Sequence, residues 1–220
     1  MRKFETWRIT ATFYSPVVMI DPPMLDGLAS WALEREANQG AALNWIVPRH
    51  DRVSDGIRRL PEVIYVAASG LPWTTRMQFD GAASGLDSWK KRWRTRYSKH
   101  ADFRGAKRRV NVKSEAFRSH NMPLPTLTIR EGWWYVRGDG PRLLELLKDQ
   151  VWGVGKKVSE GFGVVREWRL ESANLVDYEI LSLRPVPERL ARVCGLTGRL
   201  RKCAWRPPYW DKRNVEECVV

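Results

Sequence analysis

Cysteine and histidine are scarce, three of each in 220 residues. Cys194, Cys203 and Cys218 are odd in number, crowd one end of the chain and show no CxxC spacing. That excludes a paired disulfide framework and a thiolate zinc site, and leaves reduced thiols as the expectation. His50, His100 and His120 are not paired with a second catalytic residue type at helical or hairpin spacing, and no HxxxH or acidic metal cluster is present. A metal nuclease and a bound cofactor are therefore not expected. Metal-free RNA cleavage by His100 or His120 with nearby lysines stays open at this level. No apolar run is long enough to span a bilayer. Met1 to Thr12 has charges but no apolar stretch behind them, so no export leader is expected and the location read is cytoplasmic, with no membrane partner. Internal repeats and low-complexity tracts are absent.

Acidic residues are in deficit, 25 against 38 Lys and Arg, for a net charge of +13. Such a charge bears on partners more than on fold: nucleic acid first, an anionic membrane surface second. The 43% of hydrophobic residues is enough to bury one core, so residues 1–220 read as a single domain. Twelve tryptophans are many for this length; most belong to a core, and some are left for stacking on bases.

Along the chain, Arg8 to Val18 reads as a strand closed by Pro16 and an Asp21-Pro22-Pro23 turn. Leu25, Leu28, Ala29, Ala32 and Leu33 then recur at helical spacing, predicting a helix over 25–37. Val63 to Ala68 is a short apolar run, read as a buried strand. Residues 73–122 are charge-dense with poor periodicity and read as a basic insertion carrying one short helix near Ser88 to Tyr97. Leu124 to Arg137 is strand-like around a Glu131-Gly132 turn. Pro141 suits the start of a helix whose apolar face is Leu143, Leu144, Leu146, Leu147 and Val151. Val164 to Leu170 is a last strand, and the Pro- and Arg-rich tail over 185–220 reads as irregular. The order strand, helix, strand, strand, helix, strand predicts an α+β fold, a ferredoxin-like (RRM-like, split βαβ) core with helices on one face.

Between the second helix and the last strand lies Gly153-Val154-Gly155-Lys156-Lys157-Val158-Ser159-Glu160-Gly161-Phe162-Gly163. Glycines let a ligand approach the backbone, successive bare amides form an anion-binding concavity, and Lys156, Lys157 and Ser159 add donors for phosphate. The context excludes a triphosphate-binding loop, which needs a strand before it and a helix after. A plain glycine hairpin with solvated lysines is the competing reading.

Residues Lys90 to Lys113 hold eleven basic side chains: Lys90, Lys91, Arg92, Arg94, Arg96, Lys99, Arg104, Lys107, Arg108, Arg109 and Lys113. Only Asp102 opposes them, and Trp89, Trp93, Tyr97 and Phe103 are interleaved. Charge of this density suits phosphates, and the rings suit unpaired bases. On a helix Trp89, Trp93 and Tyr97 would share a stripe, which could equally dock on the core, and the charges could be a solvated face.

The GxGxxxxxGFG pattern, placed after the last helix and before the last strand, resembles the signature of the RAMP superfamily of CRISPR-associated proteins. Pro22-Pro23-Met24-Leu25-Asp26-Gly27-Leu28-Ala29 is similar to the start of the first helix in the subunit that caps the 5′ end of the guide RNA in class 1 complexes, in particular its small type IV version. Trp134-Tyr135-Val136-Arg137-Gly138-Asp139 and Arg206-Pro207-Pro208-Tyr209-Trp210 look like the same subunit. The resemblance covers 73–122 only loosely. It implies a non-catalytic subunit that binds the 5′ handle of crRNA and contacts backbone subunits and a large subunit, with target DNA an indirect partner. Its RNA-binding residues would be Gly153, Gly155, Lys156, Lys157, Ser159, Gly161 and Phe162 in the loop. An inserted thumb would add Lys90, Lys91, Arg92, Trp93, Arg94, Arg96, Tyr97, Arg104, Lys107, Arg108 and Arg109. A repeat-RNA endoribonuclease of the same superfamily and an unrelated basic RNA-binding protein are the rivals.

Overall fold

The structure, a computed structural model, describes residues 5–37, 71–91, 120–209 and 211–220. Its centre is an antiparallel sheet in which β1 (Glu5–Phe13) lies between β5 (Glu131–Gly138) and β6 (Val165–Ser172). Residues 71–79 run along the far side of β5 through bridges at Thr74–Val136 and Gln78–Trp133. The spatial order, β6, β1, β5 and then 71–79, is that of a ferredoxin-like core, with every adjacent pair antiparallel. Helices α1 (Leu25–Ala37) and α2 (Gly140–Gln150) cover one face of this sheet.

Alternation places Ile9, Ala11, Trp134, Val136 and Trp168 on the covered face, all buried. From α1 come Leu25, Ala29 and Ala32, and from α2 Leu143, Leu146 and Leu147, spaced to face one side of each helix. Asp139 caps α2 by accepting from the Arg142 amide at 3.1 Å, with Pro141 in the first turn. Arg142 then reaches across to Glu36 at 2.7 Å and ties the two helices together. The indoles of Trp134 and Trp168 lie 5.7 Å apart and donate to the carbonyls of Pro23 and Val151. Both are core rings whose polar handles are satisfied.

A second sheet rises from this core. β4 (His120–Thr128) pairs on one side with β2 (Val17–Val18) and on the other with β3 (Ala83–Lys91). β3 and β4 form a two-stranded ribbon rooted at Thr126–Thr128. The expected helix near Ser88 is replaced over residues 88–91 by this strand, because β4 supplies a full ladder of partners. Residues 71–79 likewise belong to the core rather than to an insertion: Leu71, Thr74, Thr75 and Met77 are buried. They take the edge of the sheet beside β5; Val63–Ala68, read as a buried strand, lies outside the described residues. The Glu131–Gly132 turn does not form. Both residues are in β5, and β4 passes into β5 through a bend at Ile129-Arg130 without reversing, antiparallel to β2 and then to β1.

The tail is ordered, contrary to the irregular reading. β7 (Val186–Pro187), β9 (Val215–Val219) and β8 (Leu200–Ala204) form a third sheet beside α3 (Glu188–Val193). Its apolar cluster holds Leu71, Leu181, Val186, Ala191, Leu196, Trp205 and Cys218. One buried clasp joins it to the core. Arg184 donates to the carbonyls of Pro72 and Trp205, each at 2.6 Å, to Thr74, and to Asp26 at 3.4 Å. The Tyr209 hydroxyl donates to the same Asp26 carboxylate at 2.7 Å. Asp26 and Arg184 have no exposed side-chain surface. Burial, and after it the charge of Asp26, holds the Tyr209 phenol well above its ordinary value.

Candidate nucleic-acid interface

The glycine-rich loop leaves α2 at Val151 and crosses the root of the ribbon. The Lys156 amide donates to the Val18 carbonyl at 2.7 Å, so the loop extends the sheet in which Val18 pairs with Thr126 and Thr126 with Gly85. The Gly163 amide donates to Pro16 and its carbonyl accepts from Val154. Gly163 has φ +62°, and a Cβ there would stand 2.0 Å from the Val154 carbonyl oxygen, so no other residue fits without moving backbone. Gly161 differs. It has φ +93°, is exposed, and a Cβ on it would meet nothing within 4 Å. Its glycine is required by conformation, and the space beside it is open.

The expected run of bare amides is interrupted. The amides of Val154, Lys156 and Gly163 donate to the carbonyls of Gly163, Val18 and Pro16, and those of Glu160, Gly161 and Phe162 to Lys157 and Val158 at a short 3₁₀ turn over Val158–Glu160. What the loop presents is side chains. Lys156 and Ser159 are exposed, Phe162 is half-buried, and Lys157 points to the ribbon with its Nζ 3.3 Å from the centre of the Trp89 ring. Lys157 has φ 61° and is the only non-glycine at positive φ among the described residues.

On the ribbon, register and alternation separate two faces. Trp89 faces the loop opposite Met122, and His120, at the start of β4, is paired with Lys91. Lys90, one position on, falls on the other face and is exposed, with Ser88, Leu86, Pro123 and Pro125. Trp89 is half-buried in a stretch, residues 80–90, that is otherwise exposed. Of the expected thumb residues, Arg92, Trp93, Arg94, Arg96, Tyr97, Arg104, Lys107, Arg108 and Arg109 lie outside the described residues, as do His50 and His100. The helical stripe of Trp89 with Trp93 and Tyr97 does not hold at Trp89, which is in a strand.

The described residues carry 22 Lys and Arg against 20 Asp and Glu, a net charge of only +2 of the whole chain's +13. Residues 92–119, which join the outer ends of β3 and β4, hold ten basic residues against two acidic ones, a net +8. The sequence therefore concentrates its cations between β3 and β4, while the described residues are nearly neutral.

Near the loop, sequence reasoning passed over Tyr14, 71% exposed beneath the Arg166 guanidinium, and Trp152, 52% exposed at the loop's first turn. It also passed over the Lys157–Trp89 contact. None has a periodic signature, since each depends on which loop crosses which strand. Among the described residues no cluster of three His, Cys, Asp or Glu side chains could hold a metal ion, and no helix is long and apolar enough to cross a membrane.

No protein-family model matches the sequence, and no curated protein matches it. Among solved structures, a chain of the cryo-EM structure of the Type III-B Cmr-beta bound to cognate target RNA matches 77% of this chain with 12% identity and a TM-score of 0.34. The match spans 62% of that chain, and a likeness of this size carries no argument about what this chain does.

Proposed function

We propose that this chain is an RNA-binding, non-catalytic subunit of a CRISPR ribonucleoprotein of class 1, type IV-like, which holds the 5′ handle of the guide RNA. The observation that carries the reading is the seating of the glycine loop across the root of the ribbon, with Lys156, Lys157 and Trp89 at the junction. A ribbon and a loop meeting at one place, with ten basic residues in the sequence between β3 and β4, suit a single strand, whose phosphates take the cations and whose bases take the rings. The sequence resemblance to the RAMP superfamily supplies the subunit assignment, with backbone and large subunits as protein partners.

The test is to purify the protein from its host and sequence the RNA it carries. A set of guide RNAs with a common 5′ sequence is the expected result. Ribosomal or mixed RNA would instead identify an unrelated basic RNA-binding protein. Specific cuts in repeat RNA incubated with the protein in EDTA would replace the non-catalytic role with that of an endoribonuclease.

A further inference from the structure

We infer that Trp89 and Lys157 form one binding unit, which takes a single unstacked nucleobase on the Trp89 ring and the adjoining phosphate on Lys157, exchanging the contact they make with each other for contacts with RNA. The inference rests on the RNA-binding reading above and names the nucleotide position it would recognise.

Two independent observations point here. The first is the backbone at Lys157. A residue with a Cβ at φ 61° is disfavoured, and chains place glycine at such positions. This loop has glycine at 153, 155, 161 and 163, yet keeps lysine at the strained position. Strain of this kind is retained where the side chain it aims has a use. The aim is definite: the ammonium sits over an indole.

The second observation is the placement of that indole. On the face of β3 that carries Trp89 stand only Ala83, Gly85 and Asp87, while Leu86 lies on the other face, so no apolar cluster on β3 explains a tryptophan there. Its register partner Met122 is 47% exposed and gives the ring a polarizable flank. Neither residue belongs to the buried clusters of the protein. A Trp capped by a cation on a solvated ribbon is satisfied only in part, because a cation over an exposed ring gains little. A base gains more from stacking on the same ring, and a phosphate more from the same ammonium. Both groups arrive together on a single strand, one nucleotide supplying each. The loop holds Lys157 and the ribbon holds Trp89, so engaging both fixes the strand across the junction.

The experiment is a binding cycle by fluorescence anisotropy with labelled single-stranded oligoribonucleotides, including a set in which one abasic site is walked along the strand. Variants are Trp89→Leu, Lys157→Gly and the double change. Lys157→Gly suits the backbone conformation, so its melting temperature should equal or exceed that of the parent. Each single change should weaken binding about tenfold or more, in keeping with loss of one stacked base. The double variant should bind about as weakly as the weaker single one, because base and phosphate are held as a unit. The parent should show one abasic position that weakens binding, and Trp89→Leu should lose that sensitivity. Parent-like affinity in both single variants, or fully additive losses with no abasic position affected, would overturn the inference and leave the RNA-binding reading standing. A parent protein that binds no single-stranded RNA would remove both.

Discussion

The clasp and the loop–ribbon junction each set a cation against an aromatic side chain, and they differ in almost everything else. At the clasp, Arg184 is fully enclosed, and its guanidinium is shared among Asp26, Tyr209, Thr74 and the carbonyls of Pro72 and Trp205. At the junction, Lys157 is half-buried and its ammonium lies over one ring, that of Trp89. A buried charge is retained only when its surroundings saturate it, and then its job is to hold parts together. A charge left half-used on a solvated surface contributes little to folding and is free to meet something else. The contrast separates structural from binding residues without any appeal to charge alone.

Four measurements would break or sharpen it. The largest effect is expected at the clasp. Arg184→Ala should cost about 3–5 kcal/mol in denaturant unfolding, since it strands the buried Asp26 carboxylate. A loss under about 1 kcal/mol would mean water reaches Asp26 and the clasp is not closed. RNA affinity should behave in the opposite sense to the clasp under salt. If six to ten phosphates are engaged, affinity should fall roughly a thousandfold between low and moderate salt, somewhat less for a single strand, while the unfolding midpoint barely moves. A flat binding response would mean the +13 charge is not used on nucleic acid.

Third in size is Tyr209→Phe, expected to cost about 1.5–3 kcal/mol because the lost hydrogen bond goes to a charged group. Its signature is in the alkaline limb. The folded state raises the Tyr209 pKa above the ordinary 10.0, so it holds a proton that the unfolded chain releases. That stability is complete below pH 10 and falls as the pH climbs above it. Cys218 adds the same sign from a lower start: burial, then neighbouring Cys203, pushes its thiol from 9.0 up to about 12. Thermal melts from pH 8 to 11 should decline more gently in Tyr209→Phe than in the parent, and identical slopes would contradict the clasp geometry. The smallest effect is expected for Lys156→Ala combined with Lys157→Ala, within about 0.5 kcal/mol of the parent in unfolding. Unfolding of that variant would make the loop a structural hairpin.

The helices were legible in the sequence because their apolar residues recur at one period and their ends are marked, at Pro22-Pro23 before Leu25 and at Asp139 before Pro141. β1 and β6 were legible for the β-branched and aromatic residues that line them. β3 was not, since Ala83-Ser84-Gly85 has no strand propensity and is held by pairing with β4, a tertiary effect. The tail strands, Leu200-Arg201-Lys202-Cys203-Ala204 and Val215-Glu216-Glu217-Cys218-Val219, are short and mostly exposed, which hid them behind the prolines around them. Asp26 was legible as a motif residue and invisible as a buried ion, because its partners lie far along the chain. At the junction, glycines and lysines stood out by composition. That several of their amides are used within the fold was not legible, since neither the crossing of β2 nor the 3₁₀ turn leaves a mark in the sequence.

The clasp also sets a timetable for synthesis. Asp26 meets Arg184 across 158 residues and Tyr209 across 183. As the chain leaves the ribosome, α1 emerges early with a carboxylate that has no cation, and it stays so until nearly the whole sequence has been made. The entropy of closing so long a loop grows only with the logarithm of its length, so distance along the chain is a modest obstacle. Delay is the larger one. The core sheet can assemble once β6 is available, but α1 cannot settle with its charge neutralised until the last sheet arrives. The seam between α1 and residues 71–79 is thus closed only after Arg184 and Tyr209 have been made, and until then α1 carries a carboxylate without its partners.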